Sequence, residues 1–376
     1  MHPHTKRLTP SRPKIVDLFC GAGGFSLGAH IAGFDTALGI DIDKNLTSSF
    51  SENFQETKLA LTDLRQISAS DILAIATAKR REIVGVIGGP PCQGFSLIGK
   101  RERNDPRNAL ISHFFRIVQE LKPRFFLMEN VPGLVRGTAK STLQEAIGNL
   151  SGFEMVGPLV IDAWDFGAAT RRERVVVLGY NREYVDAISD KNIESAQVQT
   201  KALVRDAITD LPEPNGSDWL PYRKKEETDL SSYARRARMQ PAPGLGSETA
   251  RAKLADKQVS GVRATNHTKD VVERFSEVGQ GTTDRVSRCP RLAWNEPAPT
   301  LRAGTGPDKG SYQSIRPIHP RDDRVITVRE AARLQGFPDW FQFHETKWHS
   351  FRMIGNSVSP LLSAALLKLI LGRLEY

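Results

Sequence analysis

Near its start the chain runs through Ile15-Val16-Asp17-Leu18-Phe19, a glycine-rich turn Cys20-Gly21-Ala22-Gly23-Gly24, a helical stretch from Phe25 to Ala32, an apolar stretch from Thr36 to Ile40, and Asp41-Ile42-Asp43. Strand, glycine turn, helix, strand and terminal acid, in that order, make the βαβ unit of a nucleotide-binding type of fold. Further strands are predicted at 83–87, 125–128 and 174–180, and helices near 69–80, 108–121 and 140–149. That alternation predicts an α/β architecture: a mostly parallel, Rossmann-like sheet with helices on both faces.

The pattern breaks after about residue 185. From 186 to about 290 the chain is polar and weakly periodic, with breakers at Leu211-Pro212-Glu213-Pro214-Asn215-Gly216 and Gln240-Pro241-Ala242-Pro243-Gly244. Regular structure is expected again from Val325, and Ser359-Pro360 can open a final apolar helix, with proline at its first position. The expected division is therefore a basic arm over 1–14, a discontinuous main domain over 15–185 and 325–376, and a smaller irregular domain over 186–324. Local basic clusters lie at Arg223-Lys224-Lys225 and Arg235-Arg236-Ala237-Arg238.

The formal net charge of +9 favours a polyanionic partner, though only weakly. Cys20, Cys92 and Cys289 are far apart and odd in number, which excludes a disulfide framework and gives no zinc spacing. No metal site is expected. The start has no apolar core of signal-peptide type, no membrane-length apolar run is evident, and a reducing, cytoplasmic setting is expected.

Gly21, Gly23 and Gly24 do not complete the Gly-x-Gly-x-x-Gly fingerprint, and Asp17 beside the turn would repel a pyrophosphate. An amino-acid-bearing nucleoside with a cationic centre suits the turn better. Asp41 stands at the distance where an acid accepts from ribose hydroxyls. Asp63 can accept from an adenine amino group, or cap the segment after it.

A second chemical segment follows the apolar run Ile83-Val84-Gly85-Val86-Ile87: Gly88-Gly89-Pro90-Pro91-Cys92-Gln93-Gly94-Phe95-Ser96. It presents a cysteine at the carboxyl edge of the predicted sheet, where open α/β folds carry their chemistry. Cys92 is either a nucleophile or a buried structural thiol.

Six segments together decide between these. Asp17 to Phe25 resembles the S-adenosylmethionine loop of the DNA (cytosine-5)-methyltransferases, and Pro90 to Ser96 resembles their nucleophile loop. Met128-Glu129-Asn130-Val131 is similar to their Glu-Asn-Val motif, and Arg171-Arg172-Glu173-Arg174-Val175 to their arginine motif. Pro299-Thr300-Leu301, His319-Pro320 and the stretch Thr327 to Pro338 resemble their later block, and Gly355-Asn356-Ser357-Val358 their last motif. The order is the family's, and the likeness covers the chain outside the arm and about 186–290.

The resemblance implies the prokaryotic restriction-modification type of enzyme, with S-adenosyl-L-methionine as cofactor and double-stranded DNA as substrate. It also implies a companion restriction endonuclease and a monomer. It places Phe19, Gly21, Gly23, Gly24, Asp41, Ile42, Asp63, Leu64, Pro91, Asn356 and Val358 around the cofactor. Phe19 would pack on adenine, and Asn356 and Val358 require the C-terminus to fold back onto the first domain. Cys92, Glu129, Arg172 and Arg174 become catalytic. Thiolate addition at cytosine carbon 6 makes carbon 5 enamine-like, and Glu129 supplies a proton at ring nitrogen 3. For that, its pKa must rise or the base must share the proton. The likeness puts Arg174 at the cytosine carbonyl and Arg172 near phosphate and the carboxylate.

Gln93, Ser96, Lys100, Arg101 and Arg103, in or beside the 94–110 loop, would meet DNA as that loop closes over an extruded base. The 186–324 region fills the place of the target-recognition domain. Thr170 departs from the family's usual glutamine. Rival readings are a transfer-RNA methyltransferase, a catalytically dead DNA-binding regulator and a nicotinamide-dependent oxidoreductase. The transfer-RNA branch usually continues its loop as Pro-Phe-Thr, where this chain has Gly94-Phe95-Ser96.

Overall fold

The computed structural model describes residues 12–91, 109–224, 226–304 and 316–375. Seven strands form the central sheet: β1 (Lys14–Leu18), β2 (Asp35–Asp41), β3 (Lys58–Leu61), β4 (Ile83–Gly88), β5 (Phe125–Asn130), β6 (Glu154–Asp162) and β7 (Glu173–Tyr180). Their spatial order is β3-β2-β1-β4-β5-β7-β6. The first five are parallel, and β7 runs antiparallel to both β5 and β6. The expected mostly parallel sheet is present. Two strands, β3 and β6, were not predicted, and the 174–180 strand is antiparallel. β3 has only four residues and β6 is largely exposed, so neither carries the continuous apolar run that marks a doubly covered strand.

Alternation along the central strands sends side chains to two cores. On β5, Phe125 and Leu127 enter one cluster and Phe126 and Met128 the other; Val176 and Leu178 of β7 separate from Val175 and Val177 in the same way. The first core is closed by the helices Gly24–Ala32 and Pro360–Leu371, the second by Ala69–Ala76, Ala109–Leu121 and Gly137–Gly148. The apolar stretch Lys347–Leu371 has the length and composition of a membrane span, contrary to the sequence reading. Two thirds of it is buried inside the fold, so its apolarity belongs to the core.

The region after 185 contains short helices, among them Ser232–Ala237, Glu248–Ala255 and Lys269–Ser276, and a two-stranded pairing of Leu220–Pro221 with Gln258–Val259. Its buried residues from Ala202 to Val262 share one cluster with Ile326 to Ile354 and with Cys20, Leu27, Phe50 and Phe54. Val185, Ile188 and Ile193 pack instead with the main sheet. Neither 186 nor 325 therefore coincides with a break in the packing.

Candidate active site

Strand order reverses at the β1–β4 junction, the crevice where open α/β sheets bind ligands. Leu18 is in register with Gly88 and Gly88 with Met128, so the carboxyl ends of β1, β4 and β5 stand side by side. The glycine turn, the Gly89-Pro90-Pro91 segment and Glu129 thus leave the sheet at one edge. A Cβ built on Gly88 would lie 2.4 Å from the Leu18 carbonyl oxygen, so these strand ends meet only with glycine at that position.

Beyond β1 the chain turns sharply. Phe19 has φ 63 and Gly23 φ 92. A Cβ at Gly23 would stand 2.3 Å from the Phe54 ring, and one at Gly24 2.4 Å from the Val358 carbonyl oxygen. The C-terminal segment therefore does return to the turn: Val358 is buried in the core beside the Gly24–Ala32 helix, while Asn356 is exposed at the end of the helix Lys347–Asn356. Asp41 accepts from Gly21 N at 2.9 Å and from Asp43 N at 2.8 Å, which fixes its carboxylate across the turn. Ile42, next to it, is 67% exposed. An apolar side chain held in water at the end of a parallel strand is what a flat heterocycle can cover.

Asp17 is buried at 1%, with Oδ2 accepting from Ser26 Oγ at 2.6 Å and Oδ1 lacking any partner. Burial pushes its carboxyl up to about 7, partly offset by the Ser26 hydroxyl. An orphaned buried carboxylate oxygen beside a glycine turn fits a ligand that carries an ammonium or sulfonium group and disfavours a phosphate. Cys20 is buried against the same acids, and burial raises its thiol well above the ordinary value, so it is no nucleophile.

Two expected pocket residues sit differently. Asp63 accepts both from Arg65 N and from the Arg65 guanidinium, closing a local turn. It caps no helix; Ser68 caps the Ala69–Ala76 helix. Leu64 is only 3% exposed, its side chain lies in the core with Ile67 and Ile111, and Arg116 takes its carbonyl. Its side chain is packing.

At the end of β5, Glu129 is buried and its Oε1 lies 2.7 Å from Arg174 Nε. A Cβ on Gly89 would be 3.3 Å from Glu129 Oε2. Asn130 Nδ2 donates to the Pro90 carbonyl at 2.9 Å, tying the start of the nucleophile loop to the acid's strand. Cys92, Gln93, Ser96, Lys100, Arg101 and Arg103 lie outside the described residues; Pro91 is the last described residue before them. The sequence reading passed over Asn130 although it stood inside a quoted motif.

Arg174 opens β7, with its guanidinium held by Glu129 and by the Glu173 carbonyl. Arg172, 2% exposed, faces inward. It donates to the carbonyls of Leu301 at 3.3 Å and Gly355 at 2.8 Å, and its Nε has no partner. Burial and the neighbouring Arg174 push this guanidinium well below its ordinary range, with Glu129 opposing them. The side chain ties the arginine motif to the 301 and 355 segments. Thr170 adds to that seam, donating to the Ala298 or Pro299 carbonyl at 3.1 Å, a task within reach of a short hydroxyl. Asp162 at the end of β6 accepts from Arg172 N at 2.7 Å. Nothing in the sequence marked it, because β6 itself was not predicted.

A cavity of about 310 Å³ opens at Arg174, lined also by Pro132, Asp162, Arg171, Glu173 and Thr300. A larger one of about 370 Å³ lies along β6 and reaches neither Glu129 nor the glycine turn, so size does not identify the site here.

A buried acid–arginine pair and the Gly89-Pro90-Pro91 segment, next to a glycine turn with an unpartnered acid, are what an enzyme of the group-transfer class presents at its strand ends. The comparisons with known proteins make the class specific. Residues 13–372 match the family model of C-5 cytosine-specific DNA methylases, and the chain belongs to that family. It is 39% identical over 365 residues to the Type II methyltransferase M.XorII of Xanthomonas oryzae pv. oryzae, an alignment covering 94% of this chain and 84% of that protein. It is 31% identical to the Type II methyltransferase M.DdeI of Desulfomicrobium norvegicum, covering 94% of this chain and 87% of the other. A crystal structure described as a DNA modification methyltransferase encoded within an E. coli prophage superposes with TM-score 0.84 at 38% identity, over 96% of this chain and 99% of that one. The Dnmt2 methyltransferase of S. pombe, at TM-score 0.62 and 16% identity, shares the fold.

Proposed function

We propose that this protein methylates carbon 5 of cytosine in a specific duplex DNA sequence, as the modification enzyme of a Type II restriction-modification system. The carrying observation is the convergence at adjacent strand ends of the Glu129–Arg174 pair, the entry to the Cys92 loop and the glycine turn. When bound, S-adenosyl-L-methionine supplies the methyl group as an electrophile. Its adenosine would lie on Ile42 and Phe19 with ribose hydroxyls on Asp41, and its charged amino-acid end would face Asp17.

The chain's residues do the rest. The target base is extruded from the helix, since carbon 6 is inaccessible in the stack. Cys92 adds as thiolate to carbon 6, and Glu129 delivers a proton to nitrogen 3 as negative charge develops on the ring. Arg174 orients Glu129 and directs its remaining N–H groups at the base carbonyl. After methylation nitrogen 3 returns its proton to Glu129, and loss of the proton at carbon 5 to a solvent base expels Cys92 as its thiolate and restores the double bond. Arg172 holds the surrounding segments rather than touching substrate. The 94–110 loop and the 186–324 region supply DNA contacts, and the enzyme acts as a cytoplasmic monomer beside a companion endonuclease.

Duplex DNA carrying 5-fluorocytosine tests this, because fluorine cannot leave as the proton does and the adduct persists. The wild-type chain is expected to form a denaturation-resistant complex and the Cys92→Ala variant none. Full trapping by that variant, or methyl incorporation only into transfer RNA, would overturn the reading.

A further inference from the structure

Among the described residues, Val286 is the most exposed large apolar side chain, at 70%. It projects from a short hairpin, Asp284 to Cys289, that is built with unusual rigidity for a surface loop. Asp284 N donates to the Cys289 carbonyl and Arg288 N to the Asp284 carbonyl, both at 2.9 Å, and Thr283 bridges Pro290. The Asp284 carboxylate, 2% exposed, accepts from Ser287 N at 2.7 Å and pairs with Arg274 at 3.1 Å. Arg288 is held at φ 60, a conformation that costs a non-glycine residue energy.

The hairpin's outward side chains are Arg285, Val286 and Arg288, all exposed. Neither arginine has a carboxylate, carbonyl or aromatic partner among the described residues. Most arginines of this region are engaged: Arg205 with Asn295, Arg223 with Glu213, Arg236 over Tyr233, Arg238 with Asp210, Arg251 with loop carbonyls, Arg291 with Asp323. Arg223 and the arginines of the 235–238 cluster, conspicuous in the sequence, are thus spent on the fold, whereas this hairpin keeps two guanidinium groups free beside one bare aliphatic group.

The hairpin is also attached to the chemistry. Its outgoing strand pairs Arg291 with Ile318, and the same segment then bridges Ala298 to Thr170 and gives the Leu301 carbonyl to Arg172. Only seven residues lie between Pro290 and Ala298, so the hairpin is anchored directly to the arginine motif.

We propose that this hairpin reads the target sequence in the major groove: Arg285 and Arg288 present paired donors to guanine O6 and N7, and Val286 packs on a thymine methyl. The assignment rests on the DNA-methyltransferase reading above and specifies which residues of the recognition region touch bases. Phosphate binding alone does not explain the trio, because an exposed valine gains nothing from a phosphate.

The test uses the full chain on a library of duplexes randomised around a cytosine, with methylated products read by bisulfite sequencing. Arg285→Ala and Arg288→Gly, the latter chosen to keep the backbone conformation, are each expected to lower discrimination at one guanine position by about tenfold or more. Val286→Ala is expected to weaken preference at a thymine position, where uracil in place of thymine lowers the wild-type rate but not the variant's. Thermal midpoints of Arg285→Ala and Val286→Ala are expected to stay at the wild-type value, since these side chains have no partner in the fold, and that of Arg288→Gly to stay level or rise as the positive φ is relieved. An unchanged target sequence in all three variants would overturn the assignment. So would a uniform loss across all sequences with a shallower salt dependence, the mark of phosphate contacts. If the wild-type chain methylates no duplex at all, the activity reading fails first, and this assignment with it.

Discussion

Glu129 and Arg174 stand 2.7 Å apart, each side chain about nine-tenths buried, across the antiparallel pairing of β5 and β7. Two charges removed from water this completely keep their places only as a pair. The acid is therefore delivered to the substrate site already oriented, with Arg174 as its fixed neighbour.

Glu129→Gln keeps the shape and loses the transferable proton. Turnover is expected to fall on the order of a hundredfold, with DNA and cofactor binding retained. Single-turnover methyl transfer checks this, and a rate within about tenfold, equivalent to about 1.4 kcal/mol, would contradict the proton-donor role.

Asp17 makes stability and cofactor binding respond to pH in opposite senses. Its folded pKa of about 7 lies above the ordinary 3.8, so between these values the folded state holds a proton that the unfolded chain has released. Stability therefore falls as pH rises through that window, by on the order of 4 kcal/mol in all. Asp17→Asn should raise the melting midpoint of the cofactor-free protein at pH 8 and leave it nearly unchanged at pH 4. Wild-type affinity for S-adenosylmethionine should weaken as pH drops below about 7, and the variant's should be weak and flat. Scanning calorimetry and titration calorimetry across pH 5–9 measure both; a pH-independent wild-type affinity would exclude Asp17 from the contact.

Gly28 sets the spacing of the two helices over the first core. A Cβ there would lie 1.8 Å from Ser363 Oγ and 2.8 Å from the Ala364 nitrogen. Gly28→Ala, favourable for an isolated helix, is expected to destabilise the protein by about 1–3 kcal/mol, because backbone has to move. Urea unfolding with the double variant Gly28→Ala, Ser363→Ala checks it: the second change should recover part of the loss.

Arg333 is wholly buried between Asp210 and Asp339, with Arg238 on Asp210 and Tyr222 on Asp339. This network joins the 202–262 region to the 328–341 segment. Arg333→Met strands two buried carboxylates and should cost about 3–5 kcal/mol, read as a shifted unfolding midpoint. A loss under about 1 kcal/mol would mean that Arg238 and Tyr222 suffice.

Much of the site was legible because its chemistry is carried by local motifs. The glycine turn, Asp41, the Pro-Pro-Cys loop and Glu129 each follow a predicted strand, and strand ends are where an α/β sheet exposes its residues. Arg172 was legible as a conserved-looking arginine pattern but not as an inward anchor. Its acceptors, Leu301 and Gly355, lie 129 and 183 residues away. Asp162 was hidden with β6, whose exposed face leaves no apolar run.

The sequence by itself determined the opening strand, glycine turn, helix and strand, the strands β4 and β5, and the family, because strand periodicity, turn chemistry and motif order are properties of neighbouring residues. Only the tertiary structure decided the reversed direction of β7, the return of Val358 to the glycine turn, and the withdrawal of Arg172 and Leu64 into the interior. It also decided that Arg285 and Arg288 stand exposed while neighbouring arginines are engaged by the fold. These depend on contacts between residues far apart in the chain, where burial and pairing are settled by packing and not by local pattern.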